Sequence, residues 1–269
     1  MVKISLWEGL LLGAVQGVTE FLPVSSSGHL ILARSFFKIE QLPLMFDVLL
    51  HVATLLVVLF HYRVLIGKLI ISFFRFLRRK NSAQDKQNLN LISAVLVATT
   101  VTVMMALIFR KFNIEATSPL TVSILMLITA VFLFSTKFIS NFIKQTEKLG
   151  PKQALMTGIG QGFGVLAGIS RSGITITSAL YSGMKRKEAG DFAFILSIPA
   201  ILGALVLTLF EEGAGYSVAL IPTIGAFITA FVIGLFSLRL LLWMIKNAHL
   251  WYFSLYLVFI GTFGLFSSM

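Results

Sequence analysis

The chain has 269 residues, 57% of them hydrophobic, a mean hydropathy of +0.92, a net charge of +11 and no cysteine. So apolar a composition excludes a water-soluble globule and reads as one polytopic membrane bundle rather than two soluble domains. The absence of cysteine excludes disulfides and thiolate metal sites, and the positive charge reads as cytoplasmic loops rather than nucleic-acid binding.

In chain order, the N-terminal stretch is interrupted by Glu8, Gln16 and Glu20 and shows no small-residue cleavage site, so no removable signal peptide is expected. The segment 5–36 reads as a short helix, a Gly/Pro/Ser break and a second short helix. Within it, 13–28 is GAVQGVTEFLPVSSSG. A first span is expected over 44–62, followed by an aromatic and basic stretch over 69–80 (LIISFFRFLRRK) lying along the inner interface. Spans follow over 89–109 and 119–137. A second broken segment covers 153–183, with GIGQGFGVLAGISRSG at 158–173. The last spans cover 191–210, kinked at Pro199, then 218–243 and 250–267.

The two broken segments are near copies. At a constant offset of 145, Gly13, Gln16, Gly17, Ser25, Ser27 and Gly28 meet Gly158, Gln161, Gly162, Ser170, Ser172 and Gly173. Interrupted backbone is tolerated at membrane depth only where protein or water can satisfy it, so the pair predicts two re-entrant hairpins around one polar site. Positive charge sets the orientation. Of 22 basic residues, sixteen fall on one side, in the 63–88 loop and at Lys137, Lys144, Lys148, Lys152, Lys185–Lys187, Arg239 and Lys246. Five fall on the other, at Lys3, Arg34, Lys38, Arg110 and Lys111, while Arg171 sits inside a hairpin. The first side is therefore inside, and both termini and the Glu211–Glu212 turn are outside. Three spans separate the hairpins, so one enters from outside and the other from inside. The expected fold is an all-α polytopic membrane protein of six transmembrane helices plus two re-entrant helical hairpins. It forms a single domain over 1–269, with inverted repeats about 1–143 and 150–269.

The breaks carry the chemistry. Gln16 and Glu20, at i and i+4, share a helix face; Pro23 ends that helix, and Ser25, Ser26 and Ser27 can cap the next. Gly28 permits close backbone approach and His29 opens the second helix. The opposing break offers Ser170, Arg171, Ser172, Gly173 and Thr175. Hydroxyls and free N–H groups at helix starts bind oxyanions, and Arg grips phosphate with two parallel hydrogen bonds. His and Glu move protons near neutral pH, and Ser or His can accept a phosphoryl group. Bland readings compete: serines and glycines pack membrane helices, Thr175 can bond its own helix, and a Glu20–Arg171 pair can simply join the hairpins. Charges at that depth, however, are usually functional. Asp47 and His51 share a face of the first span and point either to the site or to a helix contact; Asp191, His61 and His249 read as structural.

At these residues the chain resembles the undecaprenyl-diphosphate phosphatase family of the bacitracin-resistance type. Its first motif, Glu/Gln-x-x-x-Glu followed by FLPVSS and a nearby His, matches Gln16, Glu20, Phe21 to Ser26, and His29. Its second, PGxSRSxxT, matches Gly168, Ser170, Arg171, Ser172 and Thr175, with Ala167 in place of Pro. The resemblance covers essentially the whole chain. It implies hydrolysis of undecaprenyl diphosphate to undecaprenyl phosphate and inorganic phosphate, recycling the lipid carrier for cell-wall synthesis. It carries catalytic roles onto Glu20, Ser26, His29 and Arg171. Gln16, Ser25, Ser27, Gly28, Ser170, Ser172, Gly173 and Thr175 are expected around the substrate. Either Ser26 or His29 can be the attacking group. Ser26 is favoured, with His29 one turn on as base and Glu20 orienting that ring. The resemblance also implies a divalent cation, Mg2+ first and Ca2+ second. With Gln16 in place of a second carboxylate, the ion is expected on Glu20, water and the diphosphate. The expected partners are a polyprenyl diphosphate and the bilayer, with a homodimer left open and no nucleic acid. The expected location is the bacterial inner membrane, with the site facing outside. The competing reading is a secondary transporter or lipid flippase, because inverted repeats with broken helices are also a transporter signature.

Overall fold

The computed structural model describes residues 4–39, 42–80, 82–114, 118–139, 143, 145–146, 149–212 and 219–267. Lys3, Lys144 and Lys148, which enter the charge count, and the side chains of the Glu211–Glu212 turn lie outside the described residues. Within the described residues the chain forms eleven α-helices. The first six are α1 (Leu6–Thr19), α2 (Ser26–Phe37), α3 (Leu44–His61), α4 (Arg63–Leu77), α5 (Ala83–Lys111) and α6 (Pro119–Ser135). The others are α7 (Pro151–Phe163), α8 (Arg171–Tyr181), α9 (Arg186–Glu212), α10 (Leu220–Lys246) and α11 (Tyr252–Ser267). Four of them are long and apolar enough to cross a membrane: α3, α5, α10, and α9 over Arg186–Phe210. Helices α6 and α11 are as apolar but shorter, at 17 and 16 residues.

Local chemistry sets the helix starts. At α1 a capping box forms, with the Glu8 amide donating to Ser5 Oγ at 3.2 Å and the Ser5 amide donating to Glu8 Oε2 at 2.6 Å. A second box, Ser82 with Asp85, starts α5 six residues before its apolar run begins at Leu89. Pro119 and Pro151 stand in the first turns of α6 and α7, where a missing N–H costs nothing. The aromatic and basic stretch belongs to α4, which follows α3 after a turn at Tyr62. Ser72 of α4 donates to Asp85 Oδ1 at 2.6 Å, tying α4 to the start of α5.

The two halves of the chain interlock. Helix α1 lies along α10, and α7 lies along α5, so the first helix of each broken segment packs on a helix of the other half. Gly9, Gly13 and Gly17 of α1 face Pro222, Ala226 and Ala230 of α10, two matching i, i+4, i+8 rows. Gly158 and Gly162 of α7 face Ala98 and Met105 of α5. A Cβ on Gly9 would lie 2.5 Å from the Pro222 carbonyl oxygen, and one on Gly158 would lie 2.7 Å from that of Ala98. These are small-residue contacts of the kind that let membrane helices approach closely. Gly13 and Gly17 are related to Gly158 and Gly162 by the offset of 145, so there the sequence repeat is also a packing repeat.

The bundle is apolar on its outside as well as in its core. Phe21, Phe46 and Leu12 are fully buried, while Val131 and Phe259 are 70% and 69% exposed on outward faces. Apolar side chains on that scale face a lipid solvent, not water.

Candidate active site

Helix α1 ends at Glu20, whose amide donates to the Gln16 carbonyl at 2.9 Å. The break runs to Ser25, which takes a left-handed backbone at φ +70°. A non-glycine residue there is strained by roughly 1–3 kcal/mol and persists only where its surroundings fix it. Two contacts fix Ser25. Its hydroxyl accepts the Gly28 amide at 3.3 Å, capping α2, and the Gly168 amide at 3.0 Å from the other broken segment. Gly168 itself has φ +97°, and a Cβ there would strike the Val122 backbone, so both the angle and the space require glycine. Ser170 caps α8 by accepting the Gly173 amide at 3.1 Å, and its own amide donates to Thr129 Oγ1 at 3.2 Å. The two breaks are thus tied tip to tip.

Glu20 is the hub of the junction. Its side chain is 4% exposed, and it pairs with Arg171 Nη2 through Oε1. Oε2 accepts from Ser26 Oγ at 2.6 Å and from Gln16 Nε2 at 2.9 Å. His51 Nδ1 lies 3.0 Å from the same oxygen and 2.9 Å from Gln16 Nε2. The proton on Nδ1 decides whether His51 donates to Glu20 or accepts from Gln16.

A cavity of about 220 Å3 opens beside this hub. Ser25, Ser26 and Ser27 line it from one break and Ser170 and Arg171 from the other, with Glu20 and His51 between them. Of the expected substrate-binding residues, Ser172 and Thr175 stand elsewhere, on a smaller neighbouring cavity of about 20 Å3 that also touches Glu20 and Arg171. Gly28 and Gly173 fit tight packing: a Cβ on Gly28 would lie 2.6 Å from Met126 Cε, and one on Gly173 3.1 Å from Pro23 Cβ.

The structure does not bring His29 to Ser26. The hydroxyl of Ser26 is bonded to Glu20, and His29 is not on the cavity wall. Its Nδ1 lies 2.8 Å from the Ser25 carbonyl and its Nε2 2.8 Å from Tyr256 Oη. A carbonyl only accepts, so Nδ1 bears the proton; the Tyr256 hydroxyl then donates to Nε2 when the ring is neutral and accepts from it when the ring is protonated. Nor do Asp47 and His51 act together: Asp47 forms a two-pronged pair with Arg34, at 2.9 Å for the Nη1 contact, while His51 joins Glu20. Asp191 accepts from the Tyr62 hydroxyl at 2.9 Å. His51, one of the two residues of the first span that could point to the site, does join it, whereas Tyr256 is a partner that the sequence did not single out. The only available signal for His51 was its i+4 spacing from Asp47.

The residues present do not build a cation cage. Three donors and His51 crowd the Glu20 carboxylate, and among the described residues no group of three or more His, Cys, Asp or Glu could hold a metal ion.

Comparison with known proteins places these features. The family model for the bacitracin resistance protein BacA matches residues 9–263. A protein of Treponema denticola named undecaprenyl-diphosphatase is 43% identical over 258 residues, covering 96% of this chain and 95% of that protein. Proteins of the same name from Borrelia recurrentis and Desulforapulum autotrophicum are 41% and 36% identical. They match over 93% and 95% of this chain and 94% and 96% of their own lengths.

Proposed function

The chain belongs to the bacitracin resistance protein BacA family, and from that premise we propose how its site works as an undecaprenyl-diphosphatase. The enzyme hydrolyses undecaprenyl diphosphate to undecaprenyl phosphate and inorganic phosphate, returning the lipid carrier to cell-wall synthesis. One observation carries the mechanism: a buried carboxylate bonded at once to a serine hydroxyl and to a guanidinium, each from a different broken helix.

In our reading the diphosphate enters the larger cavity and draws Arg171 from Glu20 onto its terminal phosphate. Arg supplies a planar fork of donors there, and the amides at the starts of α2 and α8 add to it. Ser26 Oγ attacks the terminal phosphorus while its proton passes to Glu20 Oε2, the nearest base. The bridging P–O bond breaks with its electron pair on the polyprenyl phosphate, which takes the proton from Glu20. Freed from Arg171, Glu20 is a stronger base, so substrate binding itself arms the attack. We give His29 a positioning role: its Nδ1–H holds the Ser25 carbonyl and so the strained turn that aims Ser26. Gln16 and His51 orient the Glu20 carboxylate. A divalent cation, Mg2+ or Ca2+, would be held by Glu20 together with water and the diphosphate rather than by a protein cage, and would neutralise phosphate charge.

We place the protein in the bacterial inner membrane with six spans, two re-entrant segments (α1–α2 and α7–α8) and both termini outside. The short helices α6 and α11 extend about 25 Å each at 1.5 Å per residue, close to a hydrocarbon core of about 30 Å. The cavity then opens outward. A head group is reached there without extracting a long prenyl tail, which would cost about 0.8 kcal/mol per CH2. Phosphate release from undecaprenyl diphosphate by the purified protein in detergent tests the reading. Release by wild type and its loss in Ser26→Ala and Glu20→Gln support it; full activity in either variant contradicts the mechanism.

A further inference from the structure

Glu20 and Arg171 divide two cavities. The larger takes the substrate in the reading above. The smaller, of about 20 Å3, lies against the same pair and is walled by Phe21, Thr54, Gln161, Thr175, Phe194 and Ser197 among others; Gln161 borders the larger cavity as well, Thr175 only the smaller. Its polar wall is unusual. Gln161 and Thr175 are each 1% exposed, yet Gln161 Oε1 and Thr175 Oγ1 find no hydrogen-bond partner among the described residues. Buried polar atoms are rarely left so, because the desolvation they suffer goes uncompensated. The other hydroxyls are committed as donors: Thr54 Oγ1 to the His51 carbonyl at 2.9 Å, Ser197 Oγ to that of Phe194 at 2.7 Å, and Ser172 Oγ to that of Leu22 at 3.4 Å. Each therefore has lone pairs left to accept. The wall thus offers several acceptors and one free hydroxyl, carries no charge apart from the Glu20–Arg171 pair, and encloses room for one very small molecule.

Water fits each of these features. A buried water needs roughly 10–15 Å3 and two to four polar partners. An anion would meet mainly acceptors, and anything larger would not fit. We propose that the small cavity stores the water that completes hydrolysis, held by Gln161 Oε1 and Thr175 Oγ1 behind the Glu20–Arg171 pair. The proposal rests on the phosphatase reading. A diphosphate and its prenyl tail filling the larger cavity shut out bulk water, so the second step draws on a molecule stored on the protein side. That water attacks the phosphorus on Ser26. The P–Oγ bond breaks with its electron pair on Oγ. The proton lost by the water passes to Glu20 and then to Oγ, which restores the hydroxyl and releases inorganic phosphate.

Competition with a second acceptor tests this. Stored water acts while the polyprenyl phosphate still fills the larger cavity; bulk solvent reaches the phosphorus only after that product leaves, and ethanol, too large for the small cavity, has this later route alone. With an isoprenoid diphosphate as substrate and ethanol present, the ratio of ethyl phosphate to inorganic phosphate reports the two routes. The ratio is independent of how much of a variant folds. Thr175→Val keeps the shape and removes the hydroxyl; the ratio is expected to rise about tenfold over wild type, the effect of losing one buried hydrogen bond. Gln161→Met is expected to move it the same way, and Thr175→Ser to restore the wild-type value. An unchanged or lower ratio in Thr175→Val, or ethyl phosphate from neither protein, overturns the stored-water proposal. A wild-type protein that releases no phosphate from the diphosphate at all overturns the phosphatase reading instead.

Discussion

Arg171→Lys separates grip from charge. Arg171 serves two partners in this account, Glu20 at rest and the terminal phosphate during the reaction. Replacement by Ala would leave Glu20, 4% exposed, as an uncompensated buried charge. Breaking a buried pair in that way costs about 3–5 kcal/mol, so the Ala variant confounds folding with catalysis. Lys keeps the positive charge and can still reach Glu20, so the melting temperature in detergent should stay within a few degrees of wild type. What Lys lacks is the planar fork. One charge-assisted hydrogen bond to phosphate is worth about 1.5–3 kcal/mol, and at 1.36 kcal/mol per decade its loss lowers kcat/KM about 10- to 150-fold. The assay is phosphate release from an isoprenoid diphosphate at several substrate concentrations, beside a thermal melt of the same sample. An Arg171→Lys variant within threefold of wild type in kcat/KM would refute the grip. Arg171 would then be a diffuse charge or a strut between the breaks.

Three further outcomes are expected. His51→Ala should lower kcat about tenfold through loss of one neighbour of the Glu20 carboxylate, measured by the same phosphate release; unchanged kcat means His51 only fills space. Gly158→Val puts branched carbon where a single Cβ already lies 2.7 Å from the Ala98 carbonyl oxygen, so it should destabilise by at least about 1–3 kcal/mol, read as a lowered melting temperature. The natural chain has no cysteine, so single cysteines placed in the 63–88 loop and at the C-terminus can be labelled cleanly in intact cells. An impermeant reagent should modify the C-terminus and spare the loop, and the opposite pattern would invert the proposed topology.

Elements dictated by local chemistry were legible in the sequence. Pro23, Gly168 and the serine caps break both segments wherever the chain folds, so the breaks at 20–25 and 164–170 fall inside the expected 5–36 and 153–183. The spans were visible as apolar runs, but their ends were not. Helix α5 starts at Ala83 rather than 89 because Ser82 and Asp85 cap it in a polar stretch where hydropathy is silent. Glu20 and Arg171 stood out because charge at membrane depth is costly, and the structure pairs them. Proximity between distant segments was beyond reach. Nothing in the spacing of α3 places His51 on Glu20 rather than beside Asp47, which goes instead to Arg34. His29 is the instructive case. Three residues after Ser26, it was expected to face the same partner. Its Nδ1–H bonds the carbonyl four residues back, and Tyr256, 227 residues away, takes the other nitrogen. A helix-face argument fixes where a side chain starts, not which neighbour from another helix it meets.

The central claim, attack by Ser26 with Glu20 as its base, is tested most directly by trapping the covalent enzyme. The wild-type protein is quenched during turnover of a diphosphate labelled at its terminal phosphate, alongside Ser26→Ala and His29→Ala. A label that is stable to acid, labile to base and absent from Ser26→Ala is the predicted result. An acid-labile label that survives Ser26→Ala and vanishes from His29→Ala would make His29 the nucleophile and contradict the account.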